Sequence, residues 1–187
     1  MAIPPPPRRS LLLAGMAGAI MLAAGCSTMH VQTQTPPLQA DAGWALLPII
    51  NYTQTPQAGL RAEAILESLV RTRGRHNLRR YPARMNSESL FEPAERDVLE
   101  RTVGWARSAG LRYGLTGSVD EWRYKVGVDG EPAVGVTLQL LDLADGSVLW
   151  SATGSKTGWS REALSAVAQK LLEELSRPLA APTTPAR

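Results

Sequence analysis

Apolar positions change their period along the chain and so mark out the elements. Trp44 to Ile50 is a nearly continuous apolar run that closes on the polar Asn51, Tyr52 and Thr53, the pattern of a buried central strand. Pro56 opens a helix whose apolar positions Ala62, Ile65, Leu66, Leu69 and Val70 recur at i, i+3, i+4, i+7 and i+8, and Gly74 closes it. A short basic segment, Arg75 to Tyr81, reads as a second strand and residues 82–91 as a loop. Pro93 starts a second helix that turns Val98, Leu99, Thr102, Ala106 and Ala109 inward and stops at Gly110. A meander follows: Tyr113 to Val126, Ala133 to Leu143 and Ser147 to Thr157. Its turns contain Asp129-Gly130 and Asp145-Gly146, a hairpin signal because both turn residues need positive φ. The apolar phase slips between Val119 and Trp122, which predicts a bulge at Asp120 and Glu121. Ser160 reads as the cap of a last amphipathic helix carrying Leu164, Val167, Ala168, Leu171, Leu172 and Leu175. The order β-α-β-α-β-β-β-α predicts one α/β domain over residues 43–177, a two-layer sandwich with a mixed sheet and helices packed on it. Its two helical crossovers are expected to be right-handed.

The flanks are different in kind. Residues 27–42 are polar, hold a Pro pair and show no period, so they read as a flexible tether reaching up to roughly 50 Å when extended. Residues 178–187, with Pro178, Pro182 and Pro185, read as a disordered tail. Residues 1–25 carry Arg8, Arg9, an apolar run from Leu11 to Ala24 and no acid, which is a signal peptide. That run is shorter than the ~20 residues a spanning helix needs. It ends Leu22-Ala23-Ala24-Gly25-Cys26, which resembles the lipobox of bacterial lipoproteins, although Ala23 stands where that family more often has Leu. The resemblance implies that Cys26 is acylated, with palmitate among the chains, and becomes the mature N-terminus. Several chains on one residue make attachment effectively permanent, since each buried methylene contributes about 0.8 kcal/mol. Ser27, rather than the Asp that resembles an inner-membrane retention signal, points to the periplasmic face of the outer membrane.

Composition narrows the chemistry. The 187 residues carry a formal charge of +3, but the leader removes two arginines and leaves 18 basic against 17 acidic side chains. So neutral a chain lacks the basic surplus that a nucleic-acid binder uses to release phosphate counterions. One cysteine excludes a disulfide framework and a Cys-based zinc site. The two histidines, His30 in the tether and His76 in an arginine-rich segment, offer no base beside a nucleophile. No Gly-x-Ser-x-Gly, phosphate loop, dinucleotide fingerprint or His-Glu-x-x-His is present. Asp129-Gly130-Glu131 has too few oxygens for a calcium loop. A non-enzymatic protein without metal or cofactor is expected.

The charges are nevertheless sorted. Residues 61–84 hold seven arginines (61, 71, 73, 75, 79, 80 and 84) against Glu63 and Glu67. Residues 118–145 hold Asp120, Glu121, Asp129, Glu131, Asp142 and Asp145 against Arg123 and Lys125. An electrically two-faced domain is expected, with carboxylates gathered at the hairpin end of the meander. Trp44 and Trp105 fall in predicted buried elements, whereas Trp159 follows Thr157-Gly158 in a loop. There it either packs as a staple on the last helix or stands exposed, as Trp does at lipid headgroup level.

Four segments carry a resemblance that covers nearly all of residues 43–177: Leu46 to Gly59 (LLPIINYTQTPQAG), Leu115 to Lys125 (LTGSVDEWRYK), Gly127 to Val136 (GVDGEPAVGV), and Leu149 to Gly154 (LWSATG) through Gly158-Trp159. They resemble the PelC family, outer-membrane lipoproteins of Pel exopolysaccharide export. The stretch Thr116 to Val136 is the most specific, while Asp-Gly-x-x-Leu-Trp-Ser recurs in other periplasmic lipoproteins of this topology. The resemblance implies a ring of about a dozen subunits beneath the outer-membrane porin PelB. It also implies an acidic lumen suited to a cationic amino-sugar polymer, and an aromatic ring dipping into outer-membrane lipid. Carried over by motif, the lumen acid falls on Asp129, with Glu131, Asp120 and Glu121 as further candidates, and the membrane aromatic on Trp159. The alternative from the residues is a monomeric outer-membrane lipoprotein regulating a peptidoglycan synthase by protein contact.

Overall fold

The alternation of period becomes a mixed sheet with helices on it. The computed structural model describes residues 27–31, 37–86, 95–127 and 130–180. The strands are β1 (Ser27–Val31), β2 (Trp44–Asn51), β3 (Leu78–Arg80), β4 (Tyr113–Tyr124), β5 (Pro132–Asp142) and β6 (Val148–Thr157), in the spatial order β1-β6-β5-β4-β2-β3. β2 runs parallel to β3 and β4, and the remaining pairs are antiparallel. The helices are α1 (Ala58–Thr72), α2 (Glu95–Ser108) and α3 (Leu164–Ser176).

Strand alternation divides the core. Leu46, Leu115, Val136, Leu138 and Trp150 point to one face, where Leu66 and Val70 of α1 and Leu171 and Leu172 of α3 cover them. Ala45 and Leu47 point the other way and meet Ala106 of α2, with Leu143 alongside. Gly59 lets α1 approach β2, because a side chain there would strike the Ile49 carbonyl. Pro48 cannot donate to a ladder, and the β2–β4 register shifts between Leu46 and Ile49. β3 pairs only with Trp44 to Leu46. Beyond it, the Ile49 N–H donates instead to Oε1 of Glu63 (3.0 Å), a helix carboxylate only 1% exposed.

Four expectations need correction. The segment read as a tether begins with β1, whose residues Ser27 to Val31 pair with Lys156 to Ala152 of β6. An edge strand held by main-chain bonds needs no apolar face, and only Val31 reaches the core, so hydrophobic period is blind to it. The tail starts later than residue 178: Arg177–Leu179 forms a 3₁₀ turn with Leu179 buried. Ser160 does not cap the last helix. Arg161 takes φ 74°, the helix begins at Leu164, and the Leu164 N–H donates to the Tyr124 hydroxyl (3.1 Å). A long-range phenol therefore does the work of a local serine. Tyr124→Phe should cost about 1 kcal/mol of stability in urea denaturation, the usual cost of a lost helix cap. Trp105 is partly buried rather than in the core, with the Arg79 guanidinium 5.8 Å from its ring centre.

Candidate functional site

The bulge predicted at Asp120 and Glu121 is present as a register shift in the β4–β5 ladder between Val119 and Glu121. Its effect is chemical. A regular strand would send two neighbouring carboxylates to opposite faces, but the inserted residue keeps both on the face turned away from α1 and α3. Both side chains stand over Gly135, where an added Cβ would lie 3.4 Å from that of Glu121 and 3.9 Å from that of Asp120. Asp120 is exposed and accepts hydrogen bonds from the hydroxyls of Ser118 (3.0 Å) and Thr137 (3.2 Å). Glu121 accepts from Arg123 Nε at 3.0 Å. The hydroxyl set continues across the sheet, Thr137 to Thr153 at 2.9 Å and Thr28 to Ser155 at 2.8 Å. This face is polar and open, and Asp120 keeps unused lone pairs toward solvent.

Glu131 sits four residues before Gly135, about 14 Å along the strand direction at ~3.4 Å per residue. Its carboxylate is 3.9 Å from Lys125 Nζ, across the base of the β4–β5 hairpin. Asp129 and the lipidation candidate Cys26 lie outside the described residues, as do residues 1–25 and 181–187. The structure thus brings Asp120 and Glu121 together and places Glu131 nearer the hairpin tip.

The expected sorting of charge is corrected in two ways. Asp142 and Asp145 lie at the opposite end of β5 from Glu131, because an antiparallel meander sends its successive turns to opposite ends. Asp142 is buried and bound to Arg112 (2.5 Å), and the Ser147 N–H holds Asp145 below the usual carboxylate range as part of its own turn. The arginine segment is largely consumed internally. Arg71 pairs with Glu67 (2.9 Å), Arg73 with Glu173 (3.4 Å), Arg80 with Glu63 (2.7 Å), and Arg75 is buried against Trp44. Arg61, Arg79 and Arg84 are exposed residues in that segment.

Trp159 is 54% exposed, which decides between its two readings in favour of an open indole. Its backbone N–H donates to Glu162 Oε2 (3.1 Å), and the other oxygen of that carboxylate takes Lys170 Nζ (2.7 Å). The Lys170 contact first, and the Trp159 N–H second, hold Glu162 below its ordinary pKa. Two other exposed apolar side chains were missed in the sequence: Tyr124, 51% exposed, and Val126, 99% exposed. Tyr124 ends β4 and Val126 lies in the bend just beyond it, so the length of the first meander strand past the bulge is the signal that could have found them. Among the described residues no three His, Cys, Asp or Glu side chains converge as a metal site.

No protein-family model and no curated protein matches the chain. Solved structures do. A PelC dodecamer from Paraburkholderia phytofirmans is 43% identical over 83% of this chain and 99% of that one, with a TM-score of 0.70. A methionine-for-leucine variant of that dodecamer gives 42%, 84%, 99% and 0.68. The lipoprotein GNA1162 from Neisseria meningitidis shares the fold at 18% identity, covering 74% of this chain and 98% of its own, with a TM-score of 0.53. Identity at this level over nearly the whole folded domain is a family relationship: the chain belongs to the PelC family.

Proposed function

We propose that this protein is a lipid-anchored subunit of a ring of about twelve copies on the periplasmic face of the outer membrane. The ring guides a cationic exopolysaccharide, Pel, toward its porin, PelB, and so supports biofilm formation. The observation that carries the reading is 43% identity to a dodecamer along the whole domain. The role needs no catalysis. A ring repeats each carboxylate once per subunit, so Asp129, Glu131, Asp120 and Glu121 become a negative collar although the single chain is nearly neutral. Screening over about 8 Å at physiological salt keeps each contact weak, which suits a polymer that must be attracted and released. The open hydroxyl face around Asp120 supports the same chemistry, since hydroxyls and carboxylates both bond to amino sugars.

Light scattering of the mature protein should give about twelve times the subunit mass. A monomer mass would favour the regulator of a peptidoglycan synthase instead. Asp129→Ala should reduce secreted polymer several-fold while the ring mass stays unchanged. Unaltered secretion from an intact ring would remove Asp129 from the passage.

A further inference from the structure

The face of the sheet that carries Asp120 and Glu121 is ordered beyond those two carboxylates. Ladder register sets Ser118 of β4 opposite Thr137 of β5, Thr137 opposite Thr153 of β6, and Thr153 opposite His30 of β1. One row of hydrogen-bonding side chains therefore crosses four strands. The next row along the strands reads Glu121, Gly135, Ser155 and Thr28. Gly135 has no side chain, and the atoms nearest to the place of its Cβ belong to Asp120 and Glu121, so a shallow trough separates these carboxylates from Ser155. Helix α2 covers this side of the sheet over β2, with Leu141 and Leu143 beside it, whereas Asp120, Thr153, Ser155, Thr28 and His30 are exposed. The two rows contain no apolar side chain. That sets the face apart from the centre of a protein interface, where aromatic and aliphatic anchors dominate.

We propose that these rows are a sugar platform: they hydrogen-bond the uncharged part of a pyranose polymer laid across the strands, while Asp120 takes an ammonium group. The platform deepens the function proposed above and rests on it. Adjacent strands are about 4.8 Å apart, close to the advance per sugar in an extended pyranose chain, so successive rings meet successive strands. A hydroxyl both donates and accepts, which lets Ser118, Thr137 and Thr153 match a sugar hydroxyl or an acetamido group in either sense. Their present bonds, Thr137 with Thr153 (2.9 Å) and Thr137 to Asp120 (3.2 Å), are exposed, so exchanging them for bonds to a ligand costs little. No Trp, Tyr or Phe stands in the rows to stack on a sugar, so each contact is weak and the chain can move on. Attraction by carboxylates alone is screened by salt, whereas neutral hydrogen bonds add a hold that salt leaves in place.

Saturation-transfer NMR on the mature protein tests this with two probes: tetra-N-acetylchitotetraose, which is neutral, and chitotetraose, its cationic deacetylated form. Both should receive saturation. In about 1 M sodium chloride, where the Debye length is about 3 Å, the signal of the cationic probe should fall to the level of the neutral one rather than to zero. Joint Thr137→Val and Thr153→Val keeps the shape of both side chains and should cut the neutral signal several-fold at unchanged ring mass and urea midpoint. Where that pair of changes disturbs the ring, Thr153→Val alone, at an exposed position, is read instead. Asp120→Asn should remove only the excess shown by the cationic probe. A neutral probe that receives no saturation, or valine variants that bind it as the native protein does, would overturn the platform. A cationic probe that binds where the neutral one does not defeats the platform and leaves the acidic collar standing. Neither probe binding to an intact ring defeats the polysaccharide reading itself.

Discussion

Glu63→Ala is expected to lower the folding free energy by about 3 to 5 kcal/mol, read as a shift of the urea midpoint at unchanged slope. The carboxylate joins three groups: the Ile49 N–H (3.0 Å), the Tyr81 hydroxyl (2.9 Å) and the Arg80 guanidinium (2.7 Å). Removing it leaves the Ile49 donor on β2 without its side-chain acceptor and Arg80 with only the longer Glu67 contact (3.8 Å). Glu63→Gln keeps the shape and an oxygen for Ile49 but loses the ion pair, so its loss should be smaller. The two variants also differ in pH dependence. Burial, the largest influence, raises the Glu63 pKa above 4.5, against the opposing pull of Ile49, Tyr81 and Arg80. A carboxyl with a raised pKa binds its proton more tightly folded than unfolded, so its contribution is full below 4.5 and is lost as pH rises through the folded value. Glu63→Gln should therefore lack the decline in stability that is expected of the native protein on the alkaline side of 4.5. A midpoint that shifts equally with pH in both proteins would remove Glu63 as its source.

The same residue shows where sequence reading stops. Helix period found α1 and its buried Ala62, Leu66 and Val70, because a packed face repeats locally. It registered Glu63 only as a charge, since its partners come from Pro48 interrupting one strand and β3 ending early beside it. The bulge at Asp120 was legible because a phase slip is itself a pattern along one strand. Ser160 was misleading for the opposite reason: the signal was local, and the hydroxyl that caps α3 is on Tyr124, 40 residues away. β1 left no trace in hydropathy, since an edge strand is fixed by main-chain bonds to β6. Of the acidic candidates, the pairing of Asp120 with Glu121 on one face followed from the bulge. The separation of Asp142 and Asp145 from Glu131 was available in the meander order, but a count of charges along a segment discards it.

Arg75→Ala should cost about 3 kcal/mol, whereas Arg61→Ala and Arg84→Ala should stay within about 0.5 kcal/mol, although all three belong to one basic run. The difference is in what each guanidinium touches. Arg75 is 3% exposed, lies 4.6 Å from the Trp44 ring centre, and donates from Nε to the Leu179 carbonyl (3.1 Å) and from Nη2 to that of Ala180 (3.3 Å). It thereby ties the turn after α3 to the first residue of β2. Burial draws its pKa below the ordinary arginine range, with Tyr113 opposing, so the charge is held at a desolvation cost that the two carbonyls and the indole face offset. Arg75→Lys keeps the charge but loses the planar fork, and should recover only part of the loss. Urea denaturation ranks the four variants. If Arg75→Ala proves as mild as Arg61→Ala, the turn at Arg177–Leu179 is held by Leu179 packing alone. The expected ranking instead means that the basic segment, read in one dimension as one side of an electrically two-faced domain, is partly the clamp that closes the C-terminal end of the domain.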